Sequence, residues 1–495
     1  VKIKLVVLNA LFTLAALSAY GPAHAQATPS QNPQEVHQET IPQVSRIPED
    51  IPPKEVWINI FVHGIMSIKP HLNISNFMRF MVDDVLNTTY SKTVELMRRD
   101  CHFYQNQAMQ GFGFHKVDPT AVNPGNASSA LAAILDDVTA LSQGPHIENH
   151  YYTFGWSGLM SHTKRYQDAI DLYKHIEKEV KAFQDQGINP RVRLYGYSHG
   201  GNVVLNLGAV RQKEAVRKDL VIDEVLLLGT PIQRETDYLV NDQVFGKIYN
   251  IYSTSDRVQK MDFFSLHRLF SRRIFSDRSD FILPKKLVQI QLKITRLTPS
   301  ARCNKKKKAA TFNFDSSAII SGKSHLLRDS SPGHGELWFF GWTPSHYRPH
   351  FVLNPLPAVA IAPFILKTVQ EIEHLLLPEH PVIFDMRPEH GITLIKNVKS
   401  QTFYKIVDFL PEDELIKLQA KAQLYTPDSY TSDAYSAHVK QAYDKAHNHY
   451  QGEWSLKARR KQHFKTRKER SQARREARKE KKHNDELISP SLLIH

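Results

Sequence analysis

The stretch Arg191–Ala209, RVRLYGYSHGGNVVLNLGA, constrains this chain more than any other. Val192 and Leu194 open it as a short apolar strand, and Val203, Val204, Leu207 and Val210 recur at helical spacing along one face of a helix that follows. Between the two lies Gly196-Tyr197-Ser198-His199-Gly200. A turn this tight puts its central residue into a strained left-handed conformation, and glycines on either side let neighbouring backbone approach. Ser198 Oγ then stands at the crest of the turn, with the positive end of the helix behind it. A serine so placed reads as a nucleophile. An incidental turn serine would match G-x-S-x-G equally well, and the strand before and the helix after separate the two readings.

The same alternation runs through much of the chain. Val56–Val62 is an apolar run that suits a buried strand, stopped by His63-Gly64 and followed by Ile65-Met66. Tyr151–Gly158 again reads as strand then turn, and residues 70–145 between them as helix and loop. A helix over 162–186 carries Tyr166, Ile170, Tyr173, Ile176, Val180 and Phe183 as one stripe and stops at Gly187. Strands follow at 221–228, ending in Gly229-Thr230-Pro231, at 247–252, ending in Ser253-Thr254-Ser255-Asp256, and at 287–297. Strands apolar on both faces, alternating with helices, predict an α/β fold: a mostly parallel sheet covered by helices on both faces. Reactive groups in such sheets gather at the carboxyl ends of the strands, where Gly64, Ser198, Thr230 and Asp256 all fall.

Beyond this body the pattern changes. Residues 354–377 predict a final packing helix interrupted by Pro357 and Pro363, with an apolar part too short to span a bilayer. In 378–455, Val382-Ile383-Phe384 and Ile392–Ile395 predict a hairpin, and Pro411-Glu412-Asp413-Glu414 opens a short helix. This small C-terminal α+β region is either an accessory domain or an extension packed on the main one. The expected organisation is therefore a signal peptide at 1–25, a proline-rich linker at 26–53, the α/β domain at 54–377, the accessory region at 378–455 and a basic tail at 456–495.

The ends of the chain carry most of its charge and its compartment signal. Of a formal net charge of +14, residues 457–482 hold 14 Lys and Arg against 3 Glu, and Lys2 and Lys4 lead the N-terminus, so the body is close to neutral. Lys2 and Lys4, the apolar run Leu5–Ala19 and Ala23-His24-Ala25 are the three parts of a secretory signal peptide, which predicts a secreted or periplasmic protein. Export permits a disulfide between Cys101 and Cys303, and two free buried thiols are the alternative. The tail reads as a solvated helix or arm, with binding to an anionic membrane or surface through 457–482 as the alternative and no specific nucleic acid expected. No H-E-x-x-H, Walker loop or paired C-x-x-C occurs, so neither a cofactor nor a metal is expected.

The order of these features resembles the α/β-hydrolase fold, and within it the lipase and esterase group, over about residues 55–377. Phe61-Val62-His63-Gly64, Gly196-Tyr197-Ser198-His199-Gly200 and Leu228-Gly229-Thr230-Pro231 carry the resemblance. It implies a triad in the chain order Ser, acid, His. Ser198 is then the nucleophile and Asp256 the acid, with Asp223 and Asp242 as rivals. The histidine falls among His325, His334, His346 and His350. His334, between two glycines and ahead of an aromatic run, suits the position best, with His350 and His346 as alternatives. The oxyanion hole would use the N–H of His199 and that of Ile65, with Gly64 permitting close approach and His63 shaping the loop. The activity implied is hydrolysis of a carboxylic ester, lipid or acyl esters included. Acyl transfer on the same triad, or a non-catalytic module holding anionic surfaces through its tail, are the alternatives. Residues 257–283 mix Phe, Leu and Ile with Arg and Lys, and read as an amphipathic lid or, more plainly, as a helix packed on the sheet.

Overall fold

The computed structural model describes residues 55–66, 83–121, 126–144, 146–260, 271–297, 327–341, 351–377, 379–425 and 431–451, together with 469, 472 and 476. The signal-peptide and linker segments, Cys303, and all but three residues of the basic tail lie outside them. Cys101 is exposed with a free thiol, so the expectation of burial does not hold for it.

An α/β architecture emerges, with eleven strands among the described residues: β1 (Glu55–Val62), β2 (Gly113–Val117), β3 (Ile147–Gly155), β4 (Arg191–Tyr197), β5 (Ile222–Leu228), β6 (Phe245–Tyr252), β7 (Leu287–Leu297), β8 (Leu327–Asp329), β9 (Val382–Arg387), β10 (Ile392–Asn397) and β11 (Phe403–Asp408). Their order is β11-β10-β9-β7-β6-β5-β4-β1-β3-β2, with β8 paired to β7 alone. From β9 to β3 every neighbouring pair is parallel, and the outer pairs β2·β3, β9·β10 and β10·β11 are antiparallel. Seven α-helices accompany the strands among the described residues: α1 (Thr89–Arg98), α2 (Ala127–Gln143), α3 (His162–Gln184), α4 (His199–Lys213), α5 (Ala362–Ile372), α6 (Glu412–Gln423) and α7 (Ser432–Gln451).

The parallel strands are buried on both faces, as their near-continuous apolar runs require. One face packs Phe61, Leu226, Ile251, Ile290 and Phe384 under α2, α5 and α6; the other packs Ile60, Leu194, Val225 and Ile248 under α3 and α4. A third cluster joins Met66, Leu159 and Met160, from the loops after β1 and β3, to Val94 and Met97 of α1 and Ala442 of α7.

Four local expectations are revised. The antiparallel strand β2 lies within 70–145, where helix and loop were expected: its short sequence GFHKV is mostly half-exposed at the edge and carries no apolar run. In α3 the fully buried face runs through Arg165, Ala169, Leu172, Tyr173, Ile176 and Val180, while Tyr166, Ile170 and Phe183 are only partly buried, so the stripe is rotated by about one residue. The helix expected over 354–377 is a 3₁₀ turn at Ala358–Ile361 followed by α5, and Pro363 does not interrupt α5 but sits in its first turn, where no N–H is needed. In 257–283, residues 261–270 lie outside the described ones. The part from 271 to 283 is irregular rather than helical, pinned by bridges Ile232–Arg272 and Arg278–Phe281, with Phe275 and Phe281 buried. Strand β9 pairs in parallel with β7 through Ile290–Val382 to Ile294–Met386. The C-terminal α+β segment thus continues the central sheet, its hairpin as expected.

Candidate active site

The turn between β4 and α4 holds Ser198 at φ 51° and ψ −130°, which costs a non-glycine residue about 1–3 kcal/mol. The surrounding backbone holds it there. Ser198 N–H donates to the Leu228 carbonyl (2.9 Å) and Gly201 N–H to the Ser198 carbonyl (3.0 Å). Serine at a helix N-cap ordinarily bonds back to the first-turn amides. Ser198 makes no such bond, so its hydroxyl is left for another partner. The flanking glycines are needed for space. A Cβ at Gly200 would stand 2.3 Å from the His63 carbonyl oxygen, and one at Gly196 2.7 Å from Gly201 Cα.

That other partner is His334. Its Nε2 lies 3.0 Å from Ser198 Oγ, and its Nδ1 lies 2.7 Å from Asp256 Oδ2. Three groups that are 58 and 78 residues apart in the chain therefore form one hydrogen-bonded row. Asp256 is fully buried, and its second oxygen accepts the N–H groups of Val258 (2.9 Å) and Gln259 (3.2 Å). The aspartate thus caps its own turn and still presents Oδ2 to the imidazole. Arg273 donates to the carbonyls of Thr254 and Asp256 and clamps the same loop. Gln259 Nε2 donates to the Thr230 carbonyl (2.9 Å), tying the acid loop to the end of β5.

The end of β5 explains the Gly-Thr-Pro string. Gly229 has φ 59°, and a Cβ there would meet Leu337 Cδ1 at 2.8 Å, Asp256 Oδ2 at 3.1 Å and His334 Nδ1 at 3.3 Å. The bare backbone is what lets the acid and base meet over it. His334 is held from behind by Tyr197, whose hydroxyl donates to the His334 carbonyl (3.0 Å) and whose ring stacks on Trp338 at 5.2 Å. Burial holds the Tyr197 phenol well above its ordinary range, with the Asp256 charge adding, so it stays a donor.

The loop after β1 lies against the nucleophile: a Cβ at Gly64 would come within 3.0 Å of Ser198 Cβ. His63 shapes that loop. Its Nδ1–H donates to the Gly64 carbonyl (2.6 Å), its ring stacks on Trp156, and Trp156 Nε1–H donates to its carbonyl (2.6 Å). The His199 side chain points into a polar pocket in the layer beneath α3, where Arg165 donates to its Nδ1 (2.9 Å) and to Gln233 Oε1 (3.0 Å). Arg165 and Gln233 were missed from sequence. Arg165 lies on the same helical face as Ala169, Leu172 and Ile176, a placement that by itself does not distinguish a buried arginine from one that reaches solvent.

The rival acids are engaged elsewhere. Asp223 accepts from Arg191 and the Val192 N–H, near the start of its strand, and Asp242 from Arg211, Gln212 and the Val244 N–H. His325, His346 and His350 lie outside the described residues. The group is nearly enclosed, with Ser198 4% exposed and the His334 side chain 12%. Among the described residues no group of three or more His, Cys, Asp and Glu side chains is placed to hold a metal ion, and no helix is long and apolar enough to cross a membrane.

Comparison with protein-family models, with curated proteins and with solved structures finds no match. What this chain can do is therefore read from the chemistry of this row of side chains.

His63 and His199 also set a pH dependence. Burial holds both imidazoles well below the ordinary 6.5, with the Arg98 charge adding for His63 and those of Arg165, His162 and His334 for His199. Below that ordinary value the unfolded chain takes up protons that the folded chain refuses. Their contribution is therefore complete above pH 6.5 and is lost as the pH falls. Each adds a slope of up to about 1.4 kcal/mol per pH unit. Urea unfolding at about pH 7.5 and about pH 5.5 should show the loss, and His63→Gln should reduce the slope by one proton's worth.

Proposed function

We propose that this chain is a serine hydrolase of the α/β-hydrolase type that cleaves carboxylic esters through an acyl-enzyme. The observation that carries the reading is the unbroken row Asp256 Oδ2 to His334 Nδ1 (2.7 Å) and His334 Nε2 to Ser198 Oγ (3.0 Å). A serine hydroxyl is a weak nucleophile until a base takes its proton. His334 Nε2 accepts that proton as Oγ attacks the ester carbonyl carbon, and Asp256 holds the tautomer and stabilises the imidazolium. The His199 N–H, first of α4, and the Ile65 N–H take the developing oxyanion, each worth about 3 kcal/mol in the transition state. Collapse of the tetrahedral species expels the alcohol, which leaves with the proton from His334. Water, deprotonated by the same imidazole, then releases the acid and restores Ser198. The strained backbone at Ser198, the unused N-cap hydroxyl and the glycine at 229 support the same reading, since none improves stability.

Labelling with a fluorophosphonate probe tests it. Wild-type protein should be labelled and Ser198→Ala should not, while hydrolysis of p-nitrophenyl esters falls by about 10⁴- to 10⁶-fold in the variant. Equal labelling of the two proteins would remove Ser198 as the activated nucleophile. Export belongs to the same proposal as an expectation from sequence; attachment to an anionic surface through residues 457–482 is the alternative to a solvated tail.

A further inference from the structure

Away from the triad, the sheet carries a second polar cluster. On β7, β9 and β10 one face is apolar, with Ile290, Leu292, Ile294, Phe384, Met386 and Ile395 in the core beneath α5. The alternate residues on the other face include Lys293, Thr295, Asp385, Arg387 and Lys396. Asp385 and Arg387 are at most 1% exposed. Three cations converge on one oxygen, Asp385 Oδ2: Arg387 Nη2 at 3.1 Å, Lys396 Nζ at 3.6 Å and Lys293 Nζ at 3.7 Å. The other carboxylate oxygen accepts Thr295 Oγ1 at 2.6 Å.

This cluster is not balanced. One carboxylate faces three cations. Arg387 Nε and Nη1, which carry three of its five N–H donors, are buried with no hydrogen-bond partner. His390 Nδ1, in the turn after Arg387, is likewise buried and unpartnered. The Lys396 ammonium is held below its ordinary value chiefly by burial; Asp385 raises it, and repulsion from Arg387 and Lys293 lowers it again. Among the described residues Asp385 is the one carboxylate within ion-pair distance of these three cations; Asp329 is exposed and takes the N–H and hydroxyl of Ser331. A buried, unpaired ionic donor is costly to maintain, and structural arginines are ordinarily saturated by carbonyls or carboxylates.

We propose that Arg387, Lys396 and Lys293 form a binding site for an oxyanion of the phosphate or carboxylate class. An anion with several acceptor oxygens satisfies divergent guanidinium donors and cancels the surplus positive charge, which a bridging water does not. Arg387 closes β9, which runs parallel to β7, while Lys396 stands opposite Ile383 near the start of β9, so the cluster runs along the strands and reaches their carboxyl ends at Arg387. It is also linked to the histidine loop. Thr295 holds Asp385, and next to it in β7 Ile294 donates from its N–H to Ser331 Oγ (3.3 Å) and accepts from Ser330 N–H (2.7 Å), shortly before His334. The anion is either a free small molecule or the phosphate of a lipid headgroup.

Inorganic phosphate added to the full chain, followed by thermal unfolding and calorimetry, provides the test. The midpoint should rise saturably, since the ligand binds the folded state alone. Phosphate also stabilises proteins non-specifically, so the reading is the difference from Arg387→Gln, which should lose the saturable part. Lys396→Gln should weaken binding about tenfold, the size of one charge-assisted hydrogen bond. Asp385→Asn should tighten it, an outcome that a merely structural arginine would not give. The same titration on Ser198→Ala should be unchanged, so the result does not depend on the hydrolase reading. Co-sedimentation with phosphatidic acid vesicles, against phosphatidylcholine vesicles, separates the sources: binding lost in Arg387→Gln identifies a headgroup, and a response to free phosphate alone identifies a soluble anion. Equal responses of wild type and Arg387→Gln in both assays would overturn the proposal.

Discussion

Asp256→Asn is expected to lower kcat for ester hydrolysis by about 10⁴-fold, the size seen for this change in the type case of a Ser-His-Asp triad, while leaving the fold in place. The geometry gives the reason. Asp256 Oδ1 accepts the N–H groups of Val258 and Gln259, so an asparagine would keep its carbonyl oxygen there to avoid two unsatisfied donors. Its NH₂ would then face His334 Nδ1, which in the native protein lies 2.7 Å from a carboxylate oxygen. The imidazole would have to accept at Nδ1 and carry its proton on Nε2, aimed at Ser198 Oγ. A base with its lone pair turned away cannot take the serine proton. Because the turn-capping bonds survive, the urea midpoint should stay close to wild type, and KM should change far less than kcat. A loss of stability matching the loss of rate would mean that Asp256 acts on the fold instead.

The second large effect is expected at Gly200→Ala. A methyl there would stand 2.3 Å from the His63 carbonyl oxygen and 2.5 Å from that of Val62. Both are backbone atoms of β1 and its loop, so no side chain can rotate away. The start of α4 must separate from the loop that holds Gly64 and Ile65, or the protein must unfold. Strain of this kind costs about 1–3 kcal/mol when it can be relieved, and more when it cannot. The same displacement parts the two amides assigned to the oxyanion, so kcat should fall by at least about 100-fold. Gly111→Ala is the control, since its new Cβ would meet only a His115 ring nitrogen at 3.8 Å. Measuring rate and urea midpoint for both separates a local clash from a general intolerance of glycine replacement.

Several features were legible in the sequence because they follow from local chemistry. The turn at Ser198 announces itself through two flanking glycines and a change from strand to helical periodicity. Asp256 was legible as a turn residue, and the structure shows it filling both roles, capping its turn and facing His334. The hairpin of β9 and β10 was visible in the two short runs Val382–Phe384 and Ile392–Ile395, and Gly391 between them takes φ 62° at the turn. Strand β2 was not, because a half-exposed edge strand of five residues carries little periodicity. Arg165 beneath His199 was hidden for another reason. A single arginine on an apolar helical face has the same sequence signature whether it reaches solvent or is buried.

What the sequence settled by itself was the set of short-range decisions: where strands end, which turns need glycine, and which serine sits at a crest. These depend on residues within a few positions of one another, so periodicity and turn chemistry suffice. Which histidine reaches Ser198, and which strand the C-terminal hairpin joins, were decided by tertiary structure alone. Both depend on the order β9-β7-β6-β5-β4. That order brings together groups more than fifty residues apart, and it is chosen by burial of whole faces rather than by any local signal.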